Sequence, residues 1–440
     1  MSGYRRYWDE EIETMPRDQL REFQLTKMKE MVELTYKKSP YYKGLFDEAG
    51  VKPVHLAHLE DIKKFPTIDK KVLRSRQQAA PDFGDLLCAP EEEFVFLSAS
   101  SGSTGVPTAS PFTGPDFEDF QDCQARFFWS SGMRPTDRYC HALNFTLFVG
   151  GPDVIGAMKV GALTIWGGSI PSERLLSILK TWKATITWTT PSYAWFLGET
   201  ARENGIDPAK EFSIKKIFVA GEPGGSIPET RDNIQKLWGA DVYDYFGLSD
   251  IFGACAAMCE AKEGLHWAED HIFTEVVDPD TGEEVPEGER GELILTSLKK
   301  VARPLIRFRT GDIVSYTTEP CDCGRTHLRL HGIHGRLDDM MIIKGVNVFP
   351  SDIETIVRNN SNLTGEYACV ITEKKHMAVL TVEIEKAEGF QGDADGLAEQ
   401  IQTECQKIIG IRPVVKLLEA KTLTRATHKA MRVRDERKKP

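Results

Sequence analysis

The stretch Leu97-Ser-Ala-Ser-Ser-Gly-Ser-Thr-Gly-Val-Pro-Thr108 packs six hydroxyl side chains and two glycines into twelve residues, directly after the apolar run Phe94-Val-Phe-Leu97. A strand ending in a small, hydroxyl-rich loop lets backbone N–H groups and side-chain hydroxyls converge on phosphate oxygens. Gly102 and Gly105 supply the positive φ angles and the close approach that other residues resist. No Gly-Lys-Ser/Thr follows, so the loop is not of the Walker A type. A Ser/Gly run alone also describes a flexible turn. The rest of the chain decides between the two.

The chain has 440 residues, more than one hydrophobic core supports, so it divides into more than one domain. Its 41% hydrophobic and 28% charged residues are those of a globular protein. A net charge of −11 speaks against a nucleic-acid partner. The opening residues lack the apolar segment of an export signal, and no run of about 18 apolar residues offers a membrane span. Nine cysteines in such a chain fit a reducing compartment, with thiols free or metal-bound. The expectation is a soluble cytoplasmic protein without nucleic-acid or membrane partners. Its oligomeric state is left open, a homodimer being one option.

Apolar spacing predicts a long helix over 17–38, ended by Ser39-Pro40. Beyond the hydroxyl-rich loop, helices are expected over 115–129, 152–160, 171–182 and 192–204. Strands are expected over 138–146, 161–166, 184–190 and 214–220. This alternation implies α/β architecture with a largely parallel sheet covered on both faces. Ligands of such sheets sit beyond the carboxyl ends of the strands. The loop, Phe145–Gly151, Thr189–Ser192 and Ala220–Pro223 would then share one crevice. From Thr274 the pattern turns to strands and acidic turns. From Asp338 it reads as a small α+β unit with helices over 350–359 and 395–409, a hairpin over 366–385 and a last strand over 414–418. Two domains are expected, 1–337 and 338–440.

Several further stretches stand in order along the chain. Ser-Ser-Gly-Ser-Thr-Gly-Val-Pro-Thr108 resembles the phosphate loop of the adenylate-forming superfamily. Tyr243-Asp-Tyr-Phe-Gly-Leu-Ser-Asp250 resembles its aromatic-Gly-x-Ser/Thr-Glu motif, and Phe308-Arg-Thr-Gly-Asp312 its Tyr-Arg-Thr-Gly-Asp motif. Gly335-Arg-Leu-Asp-Asp339 through Lys344-Gly-Val-Asn-Val-Phe-Pro350 resembles its hinge, and Thr424-Arg-Ala-Thr-His-Lys-Ala-Met-Arg-Val433 its terminal lysine segment. Within the superfamily, Lys344–Pro350, Cys323-Gly-Arg-Thr-His327, Pro191-Ser-Tyr-Ala194 and, more weakly, Ser39-Pro-Tyr-Tyr42 with Phe65-Pro-Thr-Ile-Asp-Lys70 are similar to the phenylacetate–CoA ligases.

The resemblance implies a large AMP-binding domain, a small mobile lid, and ATP-dependent joining of an aryl acid to CoA through an acyl-adenylate, with release of AMP and pyrophosphate. Phenylacetate, indoleacetate and benzoate-type acids all remain open as substrates. Ser100, Ser101, Gly102, Ser103, Thr104 and Gly105 would cradle the β- and γ-phosphates. Asp250 would hold Mg²⁺, and Ser249 would touch the α-phosphate. The family usually carries Glu in place of Asp250. Gly221, Glu222 and Pro223 with Asp244, Tyr245, Phe246 and Gly247 would frame the adenine. Asp312 would accept the ribose hydroxyls, and Arg336 would lie near ribose or phosphate. Lys429 would bridge the carboxylate and the α-phosphate, an ammonium neutralising both reacting groups. Asp338 would be the hinge, with Lys344 and Gly345 beside the CoA tunnel. Phe145, Phe148, Gly150, Gly151 and Ala220 would shape the acyl pocket. His428 stands where relatives usually have glycine, and Val106 where many have lysine.

Cys259, His266, Cys321 and Cys323 form a second constellation, a Cys₃His set suited to structural zinc. The alternative is reduced thiols, and Cys255 lies close by in sequence. Loading of a carrier protein or other acceptor, and a nucleotide sensor without chemistry, are the competing functional readings.

Overall fold

The computed structural model describes residues 3–80, 82–100, 107–143, 145, 150–168, 170–343, 346–374, 377–425 and 432–438. Helix α1 (Arg17–Lys38) spans the predicted stretch, burying Met28, Met31 and Val32. Ser39-Pro40 ends α1 and also starts α2 (Pro40–Glu48). The Ser39 hydroxyl caps the Tyr42 amide at 3.3 Å, and proline fits the first turn, where its missing N–H costs nothing. Helix α3 (Lys70–Ala79) is capped by Asp69.

The hydroxyl-rich loop does not hang from the parallel sheet. It joins β1 (Phe94–Ser100) to an antiparallel return strand, β2 (Thr108–Thr113), in a separate two-stranded ribbon. Pro111 hid the return strand from the sequence reading, since proline normally marks an edge or a break. The ribbon is tied to the main sheet at its far end: Ser98 donates to the Ser249 carbonyl and Ser110 to the Asp250 carbonyl, both at 3.2 Å.

Helix α4 (Gly114–Ser130) opens with Thr113 and Asp116 capping each other. Then alternate β3 (Arg138–His141), α5 (Asp153–Val160), β4 (Leu163–Trp166), α6 (Ser172–Thr181), β5 (Ile186–Thr189), α7 (Pro191–Glu203), β6 (Lys216–Val219), α8 (Pro228–Trp238) and β7 (Asp241–Leu248). Strand β3 is shorter than expected, stopping at His141. Helix α8 went unforeseen because its neighbouring motif drew the reading. Parallel pairing runs β4-β3-β5-β6-β7.

Apart from the short Ile68–Asp69 strand, parallel pairing within this sheet is confined, among the described residues, to this part, which corrects the expectation of a largely parallel sheet. The sheet continues antiparallel through β8 (Gly253–Met258), β9 (Leu265–Trp267), β13 (Arg329–Arg336), β12 (Phe308–Thr317), β11 (Gly291–Ser297) and β10 (Ile272–Val277), for twelve strands with Ile68–Asp69 on β12. The acidic Asp278–Arg290 segment lets β10 and β11 pair as neighbours. One aromatic-rich core lies against α4, and a second, aliphatic one lies under α6, α7 and α8.

The carboxyl-terminal part has its own core. It contains β14 (Met341–Ile343), β15 (Val346–Val348), α9 (Pro350–Arg358), β16 (Leu363–Lys374), β17 (Met377–Lys386), α10 (Ala394–Ile408), β18 (Val414–Leu418) and β19 (Val433–Asp435). β19, absent from the sequence reading, pairs parallel with β16. This α+β unit meets the larger one mainly through polar groups. Thr230 donates to Glu354 Oε1 at 3.2 Å, Asn233 to the Arg358 carbonyl at 3.3 Å, and Lys421 pairs with Glu203 at 2.7 Å. A large α/β unit with a small α+β partner is therefore observed.

Candidate active site

Strand register sets the site. His141, Trp188, Phe218 and Tyr243 stand in one row across the parallel strands, and Thr189, Val219 and Asp244 in the next. Alternate rows face opposite sides. The first faces α4, where Trp188 lies 4.6 Å from the Tyr245 ring and Phe128 stacks on Phe218 at 5.6 Å. Ala220 follows β6 and hydrogen-bonds the Thr189 carbonyl at 3.1 Å. Phe145 lies over His141, ring centres 4.9 Å apart, and stacks on Trp166 at 5.3 Å. Gly150 and Gly151 lead into α5.

Gly221, with φ at +91°, begins the turn after Ala220. Glu222 anchors that turn, its Oε1 accepting from the Ser192 amide at 2.8 Å in the first turn of α7. A carboxylate suits the positive end of a helix. Asp244 takes hydrogen bonds from the Ser226 hydroxyl and from the Tyr245 amide, the latter at 3.1 Å. Burial nevertheless pushes its carboxyl up to about 7. Tyr245 is buried, with its hydroxyl donating to Ser131 at 2.6 Å, so its ring serves the α4 side. Phe246 is half-buried and Gly247 exposed, at a bulge against β8.

Asp250 sits where ribbon and sheet meet. Its Oδ2 pairs with Lys70 Nζ at 3.2 Å, while its buried Oδ1 has no partner among the described residues. Arg303 Nη2 donates to the Asp250 carbonyl at 2.9 Å, and Lys300 Nζ to Ser110 Oγ at 2.6 Å. Lys300 lies over the Phe112 ring at 3.8 Å, and burial holds its ammonium well below the ordinary lysine value. Sequence reading missed Lys70, Lys300 and Arg303. The Phe65–Lys70 stretch ends on Lys70 and held the one available clue.

Asp312, on β12, faces Arg336, on β13, and their charged groups meet at 3.4 Å. Arg336 Nη2 also donates to the Thr310 carbonyl at 3.2 Å. Asp338 follows in an exposed single turn, 3.9 Å from Arg336 Nη2. Gly335 is required just before it: a Cβ there would stand 2.6 Å from the Phe349 ring. Ser101, Gly102, Ser103, Thr104, Gly105, Phe148, Lys344, Gly345 and Lys429 lie outside the described residues, as do Val106 and His428. Ser100, at the end of β1, is buried.

Cys259, His266, Cys321 and Cys323 converge, with their ligand atoms all within 4.8 Å of one another. Cys259 and Cys321 sulfurs are 3.8 Å apart, and Cys323 Sγ lies 3.2 Å from His266 Nε2. Tetrahedral zinc with Zn–S bonds of about 2.3 Å puts two sulfurs about 3.8 Å apart. His266 Nδ1 lies 3.3 Å from the His327 carbonyl, an outer hydrogen bond that would aim Nε2 at a metal. Hydrogen bonds from Cys259 and Cys321 hold the Cys323 thiol below its ordinary value, a thiolate-ready group. Cys255, buried, bonds the Gly253 carbonyl and stays outside the cluster.

Comparisons with known proteins agree with this geometry. The profile of the AMP-binding enzyme family matches residues 23–303, and that of the AMP-binding enzyme C-terminal domain matches 345–437. A phenylacetate-coenzyme A ligase of Thermus thermophilus is 36% identical over 86% of this chain and 84% of its own. One from Escherichia coli K12 is 32% identical over 96% of both. A crystal structure of 2-hydroxyisobutyryl-CoA ligase in the postadenylation state, in complex with 2-HIB-AMP, superimposes with a TM-score of 0.93 at 34% identity, covering 99% of this chain and 94% of that one. The same ligase with CoA in its thioesterification state covers 100% and 94%, at 34% identity and a TM-score of only 0.75. By sequence profile, identity and architecture alike, this chain belongs to the adenylate-forming AMP-binding enzyme family, in the company of the phenylacetate-coenzyme A ligases.

Proposed function

We propose that this chain is an AMP-forming acid–thiol ligase that activates an aromatic acid, an arylacetate such as phenylacetate or a bulkier relative, and transfers it to CoA. What supports the aromatic substrate is the wall of Phe145, His141, Trp188 and Tyr245 at the strand ends, where an aryl ring finds edge and face contacts. The relatives named phenylacetate-coenzyme A ligase point the same way. A second reading, a small hydroxy acid, is favoured by the likeness to 2-hydroxyisobutyryl-CoA ligase.

Negative charge builds on the phosphate oxygens as the carboxylate attacks the α-phosphorus, so fixed donors and cations should carry the rate. The Ser100–Gly105 loop would hold the β- and γ-phosphates, Ser249 the α-phosphate and Asp312 the ribose hydroxyls. Gly221–Pro223 with Asp244, Phe246 and Gly247 would border the adenine, while Tyr245 turns its ring to the α4 side. The unpartnered Asp250 Oδ1 fits a hard cation, which wants carboxylate oxygen. Mg²⁺ there would neutralise phosphate charge, with Lys70 balancing the other oxygen. Lys429 would bring the acid and α-phosphate together from the small domain, 338–440. That domain would then turn about Asp338 to admit CoA past Lys344 and Gly345. The polar interface suits such a motion, because its hydrogen bonds can be exchanged for water. The Cys259–His266–Cys321–Cys323 cluster would hold a structural zinc away from this chemistry.

The test is acid-dependent AMP release with CoA across a panel of aryl and short hydroxy acids. An aryl acid giving its CoA thioester at the highest kcat/KM supports the proposal. Acid-dependent pyrophosphate exchange without any thioester would move the acceptor to a carrier protein or another nucleophile. Preference for a short aliphatic acid would establish the second reading.

A further inference from the structure

The α4 side of the strand-end wall carries buried polar atoms without partners among the described residues. His141 is fully buried, and its Nδ1 lies 2.6 Å from the Tyr139 hydroxyl. Burial holds the imidazole neutral, down to about 3. Tyr139 has no other acceptor among the described residues, so its O–H donates to Nδ1 and the ring proton rests on Nε2. That Nε2–H is buried and unpartnered among the described residues, as is the Nε1–H of Trp188, the next residue across the sheet. Asp153 Oδ1 is a third such atom, and both amide atoms of Gln124 are others.

These residues belong to one neighbourhood. His141 and Trp188 rings are 6.3 Å apart, and Phe145 covers His141 at 4.9 Å. A Cβ on Gly150 would stand 3.9 Å from Asp153 Oδ2. Burial pushes the Tyr139 and Tyr245 phenols up, and Asp153 stands close enough to both to add to the rise. One turn along α5, Gly156 presses on the Gln124 side chain, where a Cβ would meet Cγ at 2.7 Å. A buried donor left unpaired is costly, so a cluster of them beside a substrate wall is expected to have a ligand partner.

We infer that the acyl pocket is built for an acid bearing a hydroxyl group, which accepts from His141 Nε2 and Trp188 Nε1 and donates to Asp153 or Gln124. Two buried N–H donors on neighbouring rings call for an oxygen acceptor, which a plain hydrocarbon ring lacks. The acid would reach them from the side of the Phe145 ring, which covers His141 and is 37% exposed. This deepens, and rests on, the proposed ligase activity.

The test compares acids differing by one hydroxyl: phenylacetate with its 3- and 4-hydroxy forms and with mandelate, benzoate with 3-hydroxybenzoate, isobutyrate with 2-hydroxyisobutyrate. A site built to bond a hydroxyl rejects the analogue lacking it strongly. In the best pair the hydroxylated acid is expected to exceed its parent at least tenfold in kcat/KM, and Trp188→Phe to shrink that ratio several-fold. Thermal shifts with acid alone read the same preference without turnover, and the wild-type ratios stand even if the variant fails to fold. Parents equal to or better than their hydroxylated forms in every pair, by turnover and by thermal shift, would overturn the inference and leave the ligase intact. Hydroxyl-dependent stabilisation without AMP formation from any acid would instead uphold the pocket and sink the ligase reading.

Discussion

Asp250 has one carboxylate oxygen on Lys70 and another that is buried and unpartnered among the described residues. Asp250→Asn keeps the shape and removes the charge. Adenylation is expected to slow about a hundredfold, the scale of losing one preorganised charge-stabilising group, and the Mg²⁺ concentration for half-maximal rate to rise. A Mg²⁺ titration of acid-dependent pyrophosphate exchange checks both. Asp244 gives a prediction of opposite character. Burial raises its carboxyl to about 7, above the ordinary 3.8, so the folded state holds a proton that the unfolded state has released across that window. Its contribution is present below about pH 4 and falls by roughly 1.4 kcal/mol per unit as pH rises toward 7. Asp244→Asn should flatten this slope, seen as wild-type and variant unfolding free energies that diverge between pH 5 and 7 by urea denaturation. Equal slopes would show that Asp244 titrates normally.

Among elements, α8 and α9 are joined by hydrogen bonds from Thr230 to Glu354 and from Asn233 to the Arg358 carbonyl. Thr230→Val deletes the first while keeping the side-chain shape. A net hydrogen bond is worth about 0.5–1.5 kcal/mol, so the observed arrangement should lose about two- to tenfold in population. Adenylation is expected to slow relative to thioester formation from supplied acyl-adenylate, with rapid-quench partial reactions as the measurement. Such elements were unevenly legible. Helix α1 and the βα alternation from Arg138 to Val219 announced themselves by periodicity and capping residues. The β2 strand did not, because Pro111 breaks the pattern, and β19 did not, because three residues in a basic tail carry no period. The motifs located Asp250 and Asp312, since their spacing is local. Lys70, Lys300 and Arg303 were illegible around Asp250 because the fold brings them from distant parts of the chain. His141 and Trp188 were missed likewise, for only the sheet register sets them side by side.

At the scale of the whole molecule, the chain combines a mixed sheet, a small α+β unit and a buried Cys/His cluster. The Cys₃His set predicts one equivalent of zinc in protein purified without chelator. Cys321→Ser should lose that metal and lower the melting temperature by several degrees, on the scale of about 2–4 °C per kcal/mol for a domain of about 150–250 residues. Elemental analysis paired with calorimetry reads both, and a metal-free protein of unchanged stability would refute the site. Conformation is the other global property. The chain superimposes on the postadenylation state of its hydroxyisobutyryl relative far better than on the thioesterification state, with TM-scores of 0.93 and 0.75. Its arrangement is therefore nearer to the postadenylation structure of that relative than to the thioesterification structure.

In the proposed mechanism one chain performs two half-reactions, the first through Lys429. Single-turnover quench of Lys429→Ala separates them, run once with ATP and acid and once with supplied acyl-adenylate and CoA. Acyl-adenylate formation is expected to fall by at least about a hundredfold, with thioester formation from the supplied adenylate within a few-fold of wild type. Equal adenylation rates in variant and wild type would contradict this mechanism.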